Sequence, residues 1–264
     1  MRITDSNIHL PPVPDLSHEL DLTAFDAARS LVNIGAEMRR TGVDGGNVMI
    51  LDSNFLRQGD HALVATARNL GMSCTVMVDP RDADACDLID VGVQLGIVGV
   101  KLHPYLLKLY DQDFPKAVNV AKHASAQGLL IAIDCSYGTR RMYDISGVRL
   151  AIALADCIKT PIIALHGGGT RVLDVMSLVL DSTNVYLDTS FSIPYWLGSS
   201  VETDFAFAIR KVGVERCLFG SDRPYIPQQE AIEQTLGFLQ RHGFDAQDQA
   251  QLMSATARQL LRLA

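Results

Sequence analysis

An alternation repeated eight times constrains this 264-residue chain more than any single motif does. Short apolar runs rich in β-branched side chains occupy residues 2–9, 46–52, 73–79, 97–103, 129–135, 161–166, 184–190 and 216–222. Segments 23–40, 60–70, 82–95, 114–126, 145–158, 170–180, 203–212 and 229–240 carry helical periodicity, and 246–263 adds a final helix. In the first of these, Phe25, Ala28, Leu31, Val32 and Met38 lie near one face, with Thr23 placed to cap the N-terminus. Glycines at 42, 71, 96, 128, 213 and 243 end many of the helices, a position that favours left-handed backbone. Strands that are apolar almost throughout need cover on both faces, which a parallel sheet wrapped by its crossover helices supplies. Eight such units predict the α/β class, as a single (β/α)8 TIM barrel with an extra C-terminal helix. A doubly wound open sheet is the competing architecture. No G-x-G-x-x-G follows the first run, which weakens a dinucleotide-binding version of it.

The chain has no linker, low-complexity tract or break in composition, so one domain is expected over residues 1–264. Apolar residues make up 48% and charged residues 20%, enough apolar material for a large core. The net charge of −7 and the scattered basic residues argue against nucleic acid or an acidic membrane surface as partner. No apolar run approaches membrane-spanning length and no basic-then-apolar leader precedes Asp5, so a cytoplasmic location is expected. The five cysteines form no C-x-x-C pair and read as buried reduced thiols. The expected partners are a small-molecule substrate and, in a homo-oligomer, further copies of the chain. The longest non-helical insert, residues 10–22 with Pro11, Pro12 and Pro14, follows the first strand and is placed to fold over the barrel mouth.

In such a barrel the C-terminal ends of the strands meet around one mouth, and their side chains build the active site. Side chains alternate along a strand, so Asp5, Asn7 and His9 are expected on one face, and Lys101 and His103 on a common face. Other runs end in Asp52, Asp79, Asp134, His166, Asp188 with Ser190, and Asp222. Any one of these alone reads equally well as a solvated polar residue. A solvated rim would use serine, asparagine and glycine at least as often, so the accumulation points to a catalytic mouth.

Asp5-Ser6-Asn7-Ile8-His9 is similar to a D-x-H-x-H motif, and Gly99-Val100-Lys101-Leu102-His103-Pro104 matches G-[VI]-K-L-H-P. Ile162-Ile163-Ala164-Leu165-His166-Gly167-Gly168-Gly169 matches a sixth-strand histidine with a glycine-rich turn, and Asn184-Val185-Tyr186-Leu187-Asp188-Thr189-Ser190 a seventh strand. Leu218-Phe219-Gly220-Ser221-Asp222-Arg223-Pro224 is similar to F-G-S-D-x-P, and Ala255-Thr256-Ala257-Arg258-Gln259-Leu260 to a closing N-A-x-R-L-[FL] helix with Thr256 for asparagine. In this order the segments resemble the amidohydrolase superfamily, in particular its amidohydrolase-related branch of metal-dependent hydrolases and decarboxylases. The likeness spans almost the whole chain.

Two departures stand out. Asn7 occupies the place of the family's first metal histidine, and Asp134 that of its fifth-strand histidine; His9, His166 and Asp222 are retained. The resemblance therefore implies one of two sites. In the first, His9, Asp134, His166 and Asp222 cage a divalent metal, Zn²⁺ or Mn²⁺, since carboxylate is a good ligand where neutral asparagine is a weak one. In the second, as in lactonases of the pyrone-dicarboxylate type, no metal is used. Asp222 is then general base for water, with His9, His166, Lys101 and His103 polarising the scissile carbonyl. A lysine on the fourth strand is carboxylated elsewhere in the superfamily, which makes Lys101 a further option. Either site implies a hydrolase acting on a lactone, amide or ester, with Asp222, His166, Lys101 and His103 as catalytic groups. A decarboxylase on the same scaffold and a non-catalytic ligand-binding barrel are the alternatives. Asn7 is expected to bind substrate, and Arg140, Arg141 and Arg223 to clamp a carboxylate, which makes the expected substrate small and anionic. Residues 167–169 let backbone come close to it, and the helix begun at Thr170 favours an anionic group. Trp196 with Tyr195 either lines the pocket or caps the barrel. Cys135 alternates away from Asp134 and reads as a thiol packed between barrel and helices.

Overall fold

The computed structural model of the protein describes residues 1–10, 26–58 and 61–263. Eight parallel strands follow one another around the sheet in chain order: β1 (Thr4–Leu10), β2 (Gly45–Ile50), β3 (Met72–Met77), β4 (Gly99–Leu102), β5 (Leu130–Asp134), β6 (Ile162–Leu165), β7 (Val185–Asp188) and β8 (Cys217–Leu218). The segment after β8 closes the ring onto β1, with Ser6 N–H donating to Phe219 O at 3.0 Å, Asp222 N–H to Asn7 O at 2.9 Å and His9 N–H to Arg223 O at 3.0 Å. The expected (β/α)8 barrel is the observed one, down to the extra helical segment at the C-terminus. The strands are shorter than their apolar runs, while His9, Asp134 and Asp188 stay in the ladder.

Helices Ala27–Thr41, His61–Asn69, Ala85–Leu95, Phe114–Ala126, Gly147–Ala155, Val172–Asp181, Ser200–Val212 and Gln228–Arg241 connect and cover the strands. Ala27–Thr41 is capped by Asp26, whose carboxylate accepts from Arg29 N–H at 3.0 Å. Thr23, Phe25 and the proline-containing insert after Leu10 lie outside the described residues. The buried stripe of this helix is Leu31, Ile34, Gly35 and Met38, at helical spacing; Ala28 and Val32 fall off that stripe and are exposed. All six helix-ending glycines named above have positive φ, between 70° and 87°.

Alternation along the strands sorts the apolar residues into two layers. Ile131, Ile133, Val100, Leu102, Val48, Ile50, Val185 and Leu187 pack outward against the helices. Met49, Leu130, Ala132, Ile163, Leu165 and Leu218 fill the barrel interior, and Ala257 and Leu261 join them. The C-terminal segment is therefore a plug under the barrel. It is expected as one helix but contains a π turn, Gln251–Ala255, between Ala246–Ala250 and Thr256–Leu261. All five cysteines are free; Cys74, Cys135 and Cys217 are buried as expected, while Cys86 is half-buried and Cys157 exposed. Among the described residues no helix is long and apolar enough to cross a membrane.

Candidate active site

The same alternation aims the site residues. Outward Ile131 and Ile133 leave Asp134 facing the interior and Cys135 facing the helices, as the sequence predicts. Outward Val100 and Leu102 likewise leave Lys101 pointing inward, fully buried. In β1 the rule fails once, because the register with β2 shifts between Asp5 and Ile8. Asn7 and His9 both reach Asp222, but Asp5 does not share their face: its carboxylate accepts from Ser221 N–H at 2.8 Å and from Gln228 Nε2 at 2.7 Å. Ser6 turns to Asp188, donating to Oδ2 at 3.0 Å.

His166 follows inward-facing Leu165 and would point outward in a continued strand. Its φ of 62° turns the chain and brings the imidazole over the mouth; Asp222 (φ 60°) and Phe191 (φ 60°) are in the same left-handed region. Non-glycine residues held this way cluster where surrounding structure enforces them. Asp188 is one enforcer: it accepts from His166 N–H at 3.0 Å, from Ser190 N–H at 3.1 Å and from the Ser190 hydroxyl. Gly169 is another, since a Cβ there would lie 2.4 Å from Tyr137 O.

Five residues distant in sequence thus meet. His9 Nε2 lies 2.9 Å from Asp222 Oδ1, His166 Nε2 3.2 Å from Asp134 Oδ2 and 4.0 Å from Asp222 Oδ1, and His103 Nε2 3.3 Å from Asp134 Oδ2. Burial alone would lower the His166 pKa, but the Asp222 and Asp134 carboxylates outweigh it and push it up to about 9. The imidazolium donates through Nδ1 to Ser190 O at 3.1 Å. Burial drops His103 to about 3 and also lowers His9, so both are neutral. His103 Nδ1 accepts from Leu106 N–H at 3.4 Å, which leaves its proton on Nε2, facing Asp134. Burial would raise Asp134 and Asp222, yet the facing histidines and Lys101 hold both below the usual carboxylate range. Burial lowers Lys101, opposed by Asp134, Asp222 and Asp188, and its Nζ has no hydrogen-bond partner among the described residues.

The donor set does not fit a divalent cage as it stands. Asp222 can only accept, so neutral His9 carries its proton on Nε2, the nitrogen a metal would need, and its Nδ1 has no partner to fix the opposite tautomer. Asn7 aims an N–H at the same Asp222 oxygen, at 2.9 Å, while also donating to Ser190 Oγ at 2.9 Å. Among the described residues no group of three or more His, Cys, Asp or Glu is arranged to hold a metal ion.

Above these groups opens a cavity of about 370 Å³ with His9, His103, Asp134, His166 and Asp222 in its lining. Its walls come from the segments that follow the strands, several of them short helical turns: Tyr105, Leu106, Tyr137, Met142, Phe191, Tyr195, Trp196 and Tyr225. Tyr195 and Trp196 therefore line the pocket; of the rest, sequence reasoning named none, because no periodicity marks residues scattered over such segments. Asn7 and Lys101 lie beneath the lining. The three arginines expected to clamp a carboxylate do not reach it. Arg223 turns to Glu37, Nε to Oε2 2.7 Å; Arg140 is exposed; Arg141 lines a second cavity with Lys108 and Asp144.

A family profile described as Amidohydrolase matches residues 14–263. No curated protein matches the chain. Among solved structures, a Pseudomonas putida protein proposed to be a 2-pyrone-4,6-dicarboxylic acid hydrolase is 23% identical, with 98% of this chain and 97% of that chain covered and a TM-score of 0.68. 5-Carboxyvanillate decarboxylase from Sphingomonas paucimobilis is 17% identical over 100% and 99% of the two chains, TM-score 0.66. An amidohydrolase from Burkholderia multivorans with bound zinc is 14% identical over 100% of both, TM-score 0.70. At these identities the structures share the fold, while the profile covers nearly the whole sequence: the chain belongs to the amidohydrolase family.

Proposed function

We propose that the protein is a hydrolase that adds water to the carbonyl of a small lactone, ester or amide. One observation carries this reading: the Asp222 carboxylate, kept ionised by His166, His9 and Lys101 and hydrogen-bonded by His9 and Asn7, sits beside the His166 imidazolium on the floor of the cavity. Asp222 takes the proton from water as it attacks and returns it to the leaving oxygen or nitrogen as the acyl bond breaks. The His166 imidazolium, held at Nε2 by Asp134 and at Nδ1 by Ser190 O, supplies positive charge beside the carbonyl oxygen, where negative charge develops, and His103 fixes Asp134 from its other side. Lys101 lies below as a positioning cation that offsets the buried carboxylates.

The family relationship and the zinc-bound neighbour keep a divalent metal on His9, Asp134, His166 and Asp222 as the other form of the site. Decarboxylation on this scaffold is supported by the decarboxylase neighbours as much as hydrolysis is by the hydrolase one. The test is turnover of 3,4-dihydrocoumarin by protein dialysed against chelator, with elemental analysis of the same sample. Hydrolysis with less than about 0.1 equivalent of metal is expected. Activity that disappears on chelation and returns with Zn²⁺ or Mn²⁺ restores the caged-metal form; absence of hydrolysis under both conditions overturns the reading.

A further inference from the structure

The wall of the cavity and the charge map around it identify the substrate more narrowly. Among the described residues the lining contains Tyr105, Tyr137, Phe191, Tyr195, Trp196 and Tyr225, and no lysine or arginine. Its charged members at the floor are Asp134 and Asp222 with one imidazolium between them. Two arginines near the mouth are engaged by carboxylates. Arg223 pairs with Glu37, and Arg171 stacks on the Tyr137 ring at 5.0 Å while pairing with Asp174. Arg141 and Lys108 belong to the second cavity, and Lys101 lies under the floor.

A carboxylate entering such a pocket loses its hydration and meets one imidazolium already shared by Asp134 and Asp222, whereas a flat apolar ring gains aromatic contact. Phe191 and Tyr195 already stack, with ring centroids 5.0 Å apart, and Trp196 meets Tyr195 edge-on at 4.9 Å, so the wall is a preformed aromatic surface. We infer that the mouth takes an uncharged carbonyl compound bearing an aryl group and discriminates against a carboxylate on that group. This rests on the hydrolytic reading and narrows it.

Trp196 is the only tryptophan in the chain, so its emission reports binding independently of turnover. Two paired comparisons test the inference: kcat/KM for 3,4-dihydrocoumarin against its 6-carboxylate, and Trp196 quenching by benzamide against benzoate. At least a tenfold preference for the uncharged member of each pair is expected. Leu106→Arg, which places a guanidinium on the wall, should shift both ratios at least tenfold toward the carboxylate. Equal or better handling of the carboxylates by the parent protein overturns the inference and leaves hydrolysis standing. Quenching selective for benzamide without hydrolysis of either lactone upholds the pocket's preference and sinks the hydrolytic reading. No quenching by either ligand overturns the inference.

Discussion

The barrel holds two buried polar clusters, and they are built on opposite terms. Lower in the barrel, Asn47 gathers neutral partners: its Nδ2 donates to Ser6 O at 3.3 Å, while Ser73 and Thr75 hydroxyls donate to its Oδ1 at 3.0 and 3.1 Å. Thr4 and Ser254 hydroxyls pair at 2.8 Å, tying β1 to the C-terminal plug. At the mouth the cluster is charged and incompletely paired. Asn7 Oδ1, His9 Nδ1 and Lys101 Nζ have no hydrogen-bond partner among the described residues, and His166 and Asp222 are held at left-handed φ. The lower cluster satisfies its groups and stabilises; the upper one leaves buried capacity unused directly beneath the cavity, as a site built for chemistry rather than stability does. Substitutions should therefore separate activity from stability according to which cluster they strike.

The largest separation is expected from Asp222→Asn. It removes the proposed base but keeps an acceptor oxygen for Asn7 and His9, and asparagine tolerates the left-handed backbone. Turnover of dihydrocoumarin should fall by a factor of ~10³ or more, with the melting temperature within roughly 3 °C of the parent. Unchanged turnover would remove Asp222 from the mechanism. Asn47→Ala should do the reverse. It strands the Thr75 hydroxyl in the barrel interior and leaves Ser73 only Gly46 O to donate to, at a cost of ~2 kcal/mol, which for a chain of this size lowers the melting temperature by roughly 5 °C. kcat at a temperature where the variant is folded should stay within about twofold. A large loss of kcat with little change in melting temperature would mean that the two clusters are one working unit.

What the chain's sequence discloses about this division follows from how local the governing physics is. The eight apolar runs are legible because burial on both faces writes itself into composition. Asp134, Lys101 and Cys135 point where alternation sends them. His166 and Asp222 are visible as residue types but not as directions, since each depends on a left-handed turn enforced by distant groups such as Asp188. The shift in β1 that turns Asp5 away from Asn7 and His9 leaves no local mark. The arginines mislead for the same reason: proximity in sequence to Asp134 or Asp222 says nothing of Glu37, which holds Arg223 from another helix. The aromatic wall is assembled from several segments that follow the strands and has no period to detect.

Asp5 belongs to neither cluster and gives the finest test of the contrast. Its carboxylate is buried on the seam that joins β1 to the segment after β8, where burial raises its pKa from 3.8 to about 6 against hydrogen bonds from Ser221, Gln228 and Asn7. Because the folded state holds this proton more tightly than the unfolded chain, Asp5 favours folding fully below pH 3.8, and that contribution is lost as pH rises through about 6. Asp134 and Asp222, depressed in the folded state, act in the opposite sense, their stabilisation being lost as pH falls. The comparison must therefore be differential. Melting temperatures of the parent and Asp5→Asn, measured from pH 5 to pH 7, should diverge, the parent losing ~1 kcal/mol relative to the variant, or roughly 3 °C. Parallel curves would show that the seam carboxylate ionises as freely as one in water, and that the charge imbalance at the mouth is not confined to the residues that face the cavity.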